Sequence, residues 1–167
     1  MVSNSAVTFF TASSFLSYGN NLQFVRAIGA NCLNADSNTS VQNIQVSNSD
    51  VFQYSYLTSG AGNNYGSFMA RYPGALGNSI QVDVFDSSNP VNFAANTFTS
   101  GGVTRNWNTV VNSVPGTSSY TASAGGANDE FHIVVSDAGG LFTGTKGTIL
   151  ETYPFVSKAY EIGRAHV

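Results

Sequence analysis

Apolar and polar residues alternate along this chain with two different periods. In AVTFFTASSFLSYGNN (6–21), Phe9, Ala12, Phe15 and Leu16 recur at three- and four-residue intervals, the spacing of one helix face. Gly19, with Asn20 and Asn21, supplies a glycine-type stop after that helix. The next stretch, LQFVRAIG (22–29), changes period. It places Leu22, Phe24 and Arg26 on one side and Gln23, Val25 and Ala27 on the other, a mostly apolar alternation that predicts a strand buried on both faces.

Residues 30–66 are rich in Asn and Ser and alternate only at VQNIQV and VFQYSYL, which predicts short or edge strands among loops. ARYPGALGNSIQVDVFD (70–86) is sharper. Pro73 restricts φ, Gly74 accepts a positive φ, and the pair predicts either a type II turn or one helical turn that Gly77 and Asn78 end. The strand it feeds, SIQVDVFD, sets Ile80, Val82 and Val84 against Gln81, Asp83 and Phe85. Residues 87–128 are polar around NFAANTF and RNWNTVVNSV. EFHIVVSD (130–137) and GTILETYPFVSK (147–158) then predict two more strands across the Gly-rich AGGLFTGTKG.

Helix and strands are segregated rather than alternating, so the expected class is α+β, with a helix packed on a mixed sheet and loop-rich insertions. The expected core is Phe9, Phe15, Leu16, Leu22, Phe24, Val25, Ile80, Val82, Val84, Ile133 and Val135, the inward phases of one helix and three strands.

Composition narrows the functional classes. The 167 residues suit one domain, and 42% hydrophobic content suits a globular chain. Charged residues make up only 9%, against about 25% in ordinary soluble domains. A surface of neutral amides and hydroxyls has little self-repulsion and suits a subunit packed among its own copies. With a net charge of −3 and six scattered Lys and Arg, the chain lacks the clustered positive charge of a nucleic-acid or anionic-membrane surface. Cys32 is the single cysteine, which leaves no internal disulfide and no cysteine-based metal site. No apolar run approaches a bilayer span, and the first residues lack the basic n-region of a signal peptide.

Candidate chemistry is sparse. Before the last seven residues the only histidine is His132, which lacks a nucleophile signature around it and reads as a structural histidine rather than a hydrolase base. Cys32 reads as a bystander thiol in a polar loop. GAGNNYG (60–66) has one residue too many for a dinucleotide loop, and no helix pattern follows it. Asn38-Thr39-Ser40 is a glycosylation sequon that matters only for a secreted chain. No catalytic, cofactor or metal residue is assigned.

The turn and its neighbours carry a resemblance. ARYPGALGNSIQVDV, with Tyr72, Pro73, Gly74, Leu76, Gly77 and Asn78 as its structural motif, resembles the Tyr-Pro-Gly-x-Leu-Gly segment of the contractile tail sheath proteins of T4-like (myovirus-type) bacteriophages. FFTASSFLSYGNNLQFVRAIG (9–29) is similar to that family's helix and following strand. DEFHIVVSDAGG with GTILETYPFVSKA (129–159) looks like its next strands, and the three blocks stand in family order.

The resemblance implies a non-enzymatic structural subunit. Its partners would be other sheath subunits in stacked hexameric rings and the tail tube protein, with no nucleic acid, no membrane insertion and no cofactor. It would reside in the virion after assembly in the host cytoplasm. Sheath proteins are several times longer, so the chain is expected to be an internal piece of such a subunit. It divides into an incomplete helix-strand unit (1–35), an Asn/Ser-rich insertion or linker (36–66) and a β-rich core region (67–160). The final EIGRAHV (161–167) back-translates to a common sequencing adapter in frame and is expected to be read-through that packs against nothing. The competing reading is a carbohydrate-binding β-domain of a phage fibre or baseplate, with Trp107 between Asn106 and Asn108 lining the sugar site.

Overall fold

The computed structural model describes residues 4–23, 27–37, 44–54, 67–86 and 88–158. Phe24, Val25 and Arg26, the Asn38 sequon, GAGNNYG and EIGRAHV lie outside the described residues. In chain order the elements are α1 (Asn4–Leu16), α2 (Ser49–Val51), a 3-10 turn (Ala75–Ser79), β1 (Ile80–Phe85), α3 (Pro90–Ala95), β2 (Thr97–Ser100), β3 (Val103–Asn106), a second 3-10 turn (Trp107–Thr109), α4 (Ser119–Ser123), β4 (Glu130–Asp137) and β5 (Thr148–Ser157).

The fold is α+β, built on a three-stranded sheet in the order β1-β4-β5 and a separate β2-β3 hairpin. Both sheets are antiparallel, which corrects the expected mixed sheet. β1 and β4 pair in unbroken register from Ile80↔Asp137 to Phe85↔His132, whereas the β4–β5 ladder shifts twice. One shift falls beside Phe155, which sits at φ 56°, the left-handed region that an aromatic residue enters only when its surroundings hold it there.

The segment between β1 and β4 forms the layer that covers one face of the sheet. α3 starts where the Asn89 side chain accepts from the Val91 N–H at 2.9 Å and Pro90 occupies the first turn, where its missing N–H costs nothing. Gly101 and Gly102, at φ 57° and 84°, close the two-residue β2–β3 turn in the left-handed backbone that such hairpins need. The layer then buries Phe93, Phe98, Trp107 and Val111 against Phe85 and Val134 of the sheet. Phe85 meets Phe93 edge-on at 5.4 Å, and Trp107 lies between Phe85 and Phe98 at 5.5 and 4.9 Å. Each such side chain removed from water contributes about 2–3 kcal/mol.

Polar groups lock the layer down. Ser136 and Ser100, both fully buried, join β4 to β2 through a 2.7 Å hydroxyl bond. The His132 ring touches Phe85, Phe93 and Phe155, and both of its nitrogens are engaged. Nε2 lies 2.8 Å from the Ser113 carbonyl, and Nδ1 accepts from the Phe155 N–H at 3.0 Å. These bonds assign the proton to Nε2.

The expected core is corrected in its phase. The covered face of β1 and β4 carries Phe85, His132, Val134 and Ser136, while Ile80, Val82, Ile133 and Val135 on the opposite face are only half-buried and Val84 is exposed. Phe9, Phe15, Leu16 and Leu22 are also exposed, because α1 is not laid on either sheet. Of LQFVRAIG, the described residues 22–23 and 27–29 form no strand. VFQYSYL does not begin as a strand either. Asn48 caps a helical turn there, its side chain accepting from the Val51 N–H at 2.8 Å.

Candidate functional site

The Tyr-Pro-Gly turn is where three distant pieces of chain meet. Asn34, 4% exposed, binds both of the others. Its amide donates to the Ala70 carbonyl at 2.8 Å and its oxygen accepts from the Val46 N–H at 2.7 Å. The Gly74 N–H donates to the Leu33 carbonyl at 2.8 Å, the Ala70 N–H to that of Ala35 at 2.7 Å, and Asp36 bridges to Met69. Cys32 sits in the same loop, half-buried, its carbonyl accepting from Gln45 at 2.9 Å.

The motif residues divide between support and surface. Pro73 is buried. Gly74 has φ 124°, a value closed to most side chains, and stands just before the 3-10 turn. That turn begins at Ala75 and runs through Gly77 and Asn78 to Ser79, so these two residues lie inside the helical turn that the sequence expected them to end. Gly77 is required by proximity, since a Cβ there would stand 2.8 Å from the Ala70 Cβ and 2.9 Å from that of Ala35. Tyr72, Leu76 and Asn78 face outward, with the Arg71 guanidinium 5.3 Å from the centre of the Tyr72 ring.

The turn ends in a cluster that sequence reasoning missed. Ser79 is buried and donates to the Asp137 carboxylate, which also accepts from the N–H groups of Leu141, Phe142 and Thr143 at 3.1, 2.9 and 2.8 Å and from the Thr143 hydroxyl at 3.0 Å. Burial alone would push this carboxyl upward. The bonds from Ser79, Thr143 and Phe142 outweigh it and hold the carboxyl well below the usual range. Asp137 thereby fixes the loop that follows β4 and ties it to the turn that precedes β1. The available signal was Asp followed by Ala-Gly-Gly and a Thr six residues on, a side chain placed to satisfy loop N–H groups. Asp129 does similar work at the other end of β4. Ser157, Ser118 and the Ser118 N–H donate to it and hold its carboxyl far below the usual range despite the opposing pull of burial.

None of these groups is arranged to react. The His132 nitrogens are spent on backbone partners, and Trp107, 3% exposed between two phenylalanines, offers no face to a sugar. Among the described residues no three His, Cys, Asp or Glu converge as metal ligands, and no helix is long and apolar enough to cross a membrane.

What the scaffold does present is apolar surface. On the sheet side opposite the covering layer, Phe131, Ile133 and Val135 of β4 alternate out with Ile80, Val82 and Val84 of β1 and Tyr153 and Val156 of β5; Glu151 stands opposite Val135 on this side, and residues 35–37 and 68–71 line one cavity with Ile80 and Val82. On α1, Val7, Phe9, Phe10, Phe15 and Leu16 are 48% exposed or more. Comparison with protein-family models, with curated proteins and with solved structures finds no match for this chain.

Proposed function

We propose that the chain belongs to the structural subunit of a contractile phage tail sheath, which polymerises around a tail tube and drives it through a host envelope by contracting. The observation that carries the assembly part of this reading is the exposed apolar surface of α1, with the half-buried apolar face of the β1-β4-β5 sheet, among the described residues. Contiguous apolar surface of this kind marks a place where another protein surface sits. The low charge of the chain removes the repulsion that would oppose dense packing of identical copies. The sheath assignment itself is supported by the three sequence blocks in family order. The Tyr72–Asn78 turn then serves to hold β1 in position, and function lies in the surfaces around it. A sugar-binding module is disfavoured because its expected platform, Trp107, is part of the core.

The genomic neighbourhood of the coding sequence tests this reading. Sheath-type sequence blocks in the adjoining reading frame and a tail tube gene beside it are the expected result. Neighbours encoding a fibre, or a set of metabolic enzymes, would overturn it.

A further inference from the structure

His132 is fully buried and stands where the β4–β5 ladder is interrupted. Phe131 pairs with Val156 and Ile133 with Tyr153, so Pro154 and Phe155 together oppose His132 alone, a bulge on β5. Pro154 has no N–H to offer. The Phe155 N–H turns onto the histidine ring, 3.0 Å from Nδ1. A side chain thus takes the place of the backbone carbonyl that accepts in an ordinary ladder, and it does so for a residue held at φ 56°.

This bond exists in one protonation state only. The neutral ring, with its proton on Nε2 toward the Ser113 carbonyl, accepts at Nδ1. A second proton makes Nδ1 a donor, and two donors then face each other. The cation would be enclosed by the rings of Phe85, Phe93 and Phe155, with centres 6.5, 6.0 and 4.8 Å away, out of reach of water. Among the described residues no carboxylate is bonded to the ring to hold that charge. Glu130 shares its face of β4 but accepts from the Gly116 N–H. On β1, Asp83 is held by Gln81, and Asp86 beyond the strand end pairs with Lys158. Asp129 is taken by Ser118 and Ser157, and Glu151 of β5 by the Tyr153 hydroxyl. Arg105 of β3 shares the inner side of its hairpin with Phe98 and adds positive charge, while α3 and residues 107–116 carry no titratable group. We propose that His132 is an acid-released latch on β5. Protonating its ring frees the Pro154–Phe155 bulge to swing off β4 and lets water reach the imidazolium, while the flanking Phe131–Val156 and Ile133–Tyr153 pairs hold the strand. Phe155 is the neighbour that yields, because its side chain is already 43% exposed and its backbone leaves a strained conformation, whereas Phe85 and Phe93 belong to the core. The latch rests on this bulge and does not depend on the sheath reading.

Native-state amide exchange and histidine nitrogen spectra of the whole chain, recorded between about pH 8 and about pH 5, where imidazole is the side chain that ordinarily titrates, test the latch. His166→Gln assigns the signal of the chain's other histidine. The expected result is a Phe155 protection factor, corrected for intrinsic exchange, that falls by up to about tenfold per pH unit as the His132 ring takes its second proton. Val134, in the middle of the central strand, should keep its protection over the same range. In His132→Gln the side-chain oxygen can still accept from the Phe155 N–H but takes up no proton, so the pH step should vanish. Phe155 protection that stays flat across the range, that falls together with that of Val134, or that keeps its step in His132→Gln would each overturn the latch. The first two results come from chains with His132 intact, so they decide the matter even where the glutamine variant does not fold.

Discussion

Replacing Trp107 by alanine should loosen the covering layer more than any other single truncation. The indole is 3% exposed and bridges Phe85 of the sheet to Phe98 of the β2–β3 hairpin, with ring centres 5.5 and 4.9 Å away. A buried indole removes roughly 200–250 Å² from water, and at ~25 cal/mol per Å² its truncation forfeits about 5–6 kcal/mol. Partial collapse of Phe85, Phe93 and Phe98 into the space recovers some of this, so the expected loss is about 3–4 kcal/mol. In a domain of this size that lowers the thermal midpoint by about 8–15 °C. Trp107→Phe keeps an aromatic ring in the gap and should cost about half as much. Because Trp107 is the only tryptophan in the chain, its fluorescence vanishes with it, and urea titration followed by far-ultraviolet circular dichroism is the suitable assay. A W107A chain within about 1 kcal/mol of the wild type would refute the claim that this residue holds hairpin to sheet.

Other parts of the structure make equally definite expectations. Asp137 and Asp129 have folded-state pKa values below the ordinary 3.8, so their stabilisation is complete above the carboxylate range and drains away as pH falls into and below it. Asp83, pushed upward by burial against the opposing bond from Gln81, works in the other direction. Denaturation midpoints measured between neutral and acid pH should therefore fall on acidification, and Asp137→Asn should flatten that slope; an unchanged slope would contradict the assignment. Gly147→Ala would set a Cβ 2.4 Å from the Ser100 carbonyl at a residue with φ 75°, so a thermal scan should show a loss of at least about 1–3 kcal/mol. Lys158→Ala removes only an exposed ion pair with Asp86 and should shift the unfolding midpoint by less than about 1 kcal/mol.

Much of the sheet was legible, but not which side of it is inside. The alternation in SIQVDVFD and EFHIVVSD locates β1 and β4 well, and the Pro-Gly turn announces where β1 begins. The buried phase of β4 is His132, Val134 and Ser136, while the more apolar Phe131, Ile133 and Val135 face the open side. Hydropathy cannot see this, because the covering layer satisfies the polar members individually, His132 through Ser113 and Phe155 and Ser136 through Ser100. The layer itself left two readable traces in a stretch read only as polar: Asn89-Pro90, a helix start, and Gly101-Gly102, a hairpin turn. The Asn34 junction was beyond reach, since it joins residues separated in sequence by a dozen to three dozen positions. Helix α1 was read correctly as a helix and wrongly as core. Its periodicity reports that Phe9 and Leu16 share a side, and says nothing about whether that side is occupied.

The unbroken β1–β4 register places the end of one strand directly beside the start of the other, at Phe85 and His132. Everything between them is thus a closed excursion that leaves the sheet and returns to the same spot. An excursion with adjacent ends is normally the part of a protein most open to replacement, shortening or the insertion of foreign sequence. Here it is the part least open to it, because Phe93, Phe98, Trp107 and Val111 all belong to the excursion. Cutting it out would strip from the sheet the layer that buries Phe85, His132 and Val134. Natural variation in chain length and tolerated fusions should therefore gather at its outermost bends, such as Ala124–Ala127, and spare its root.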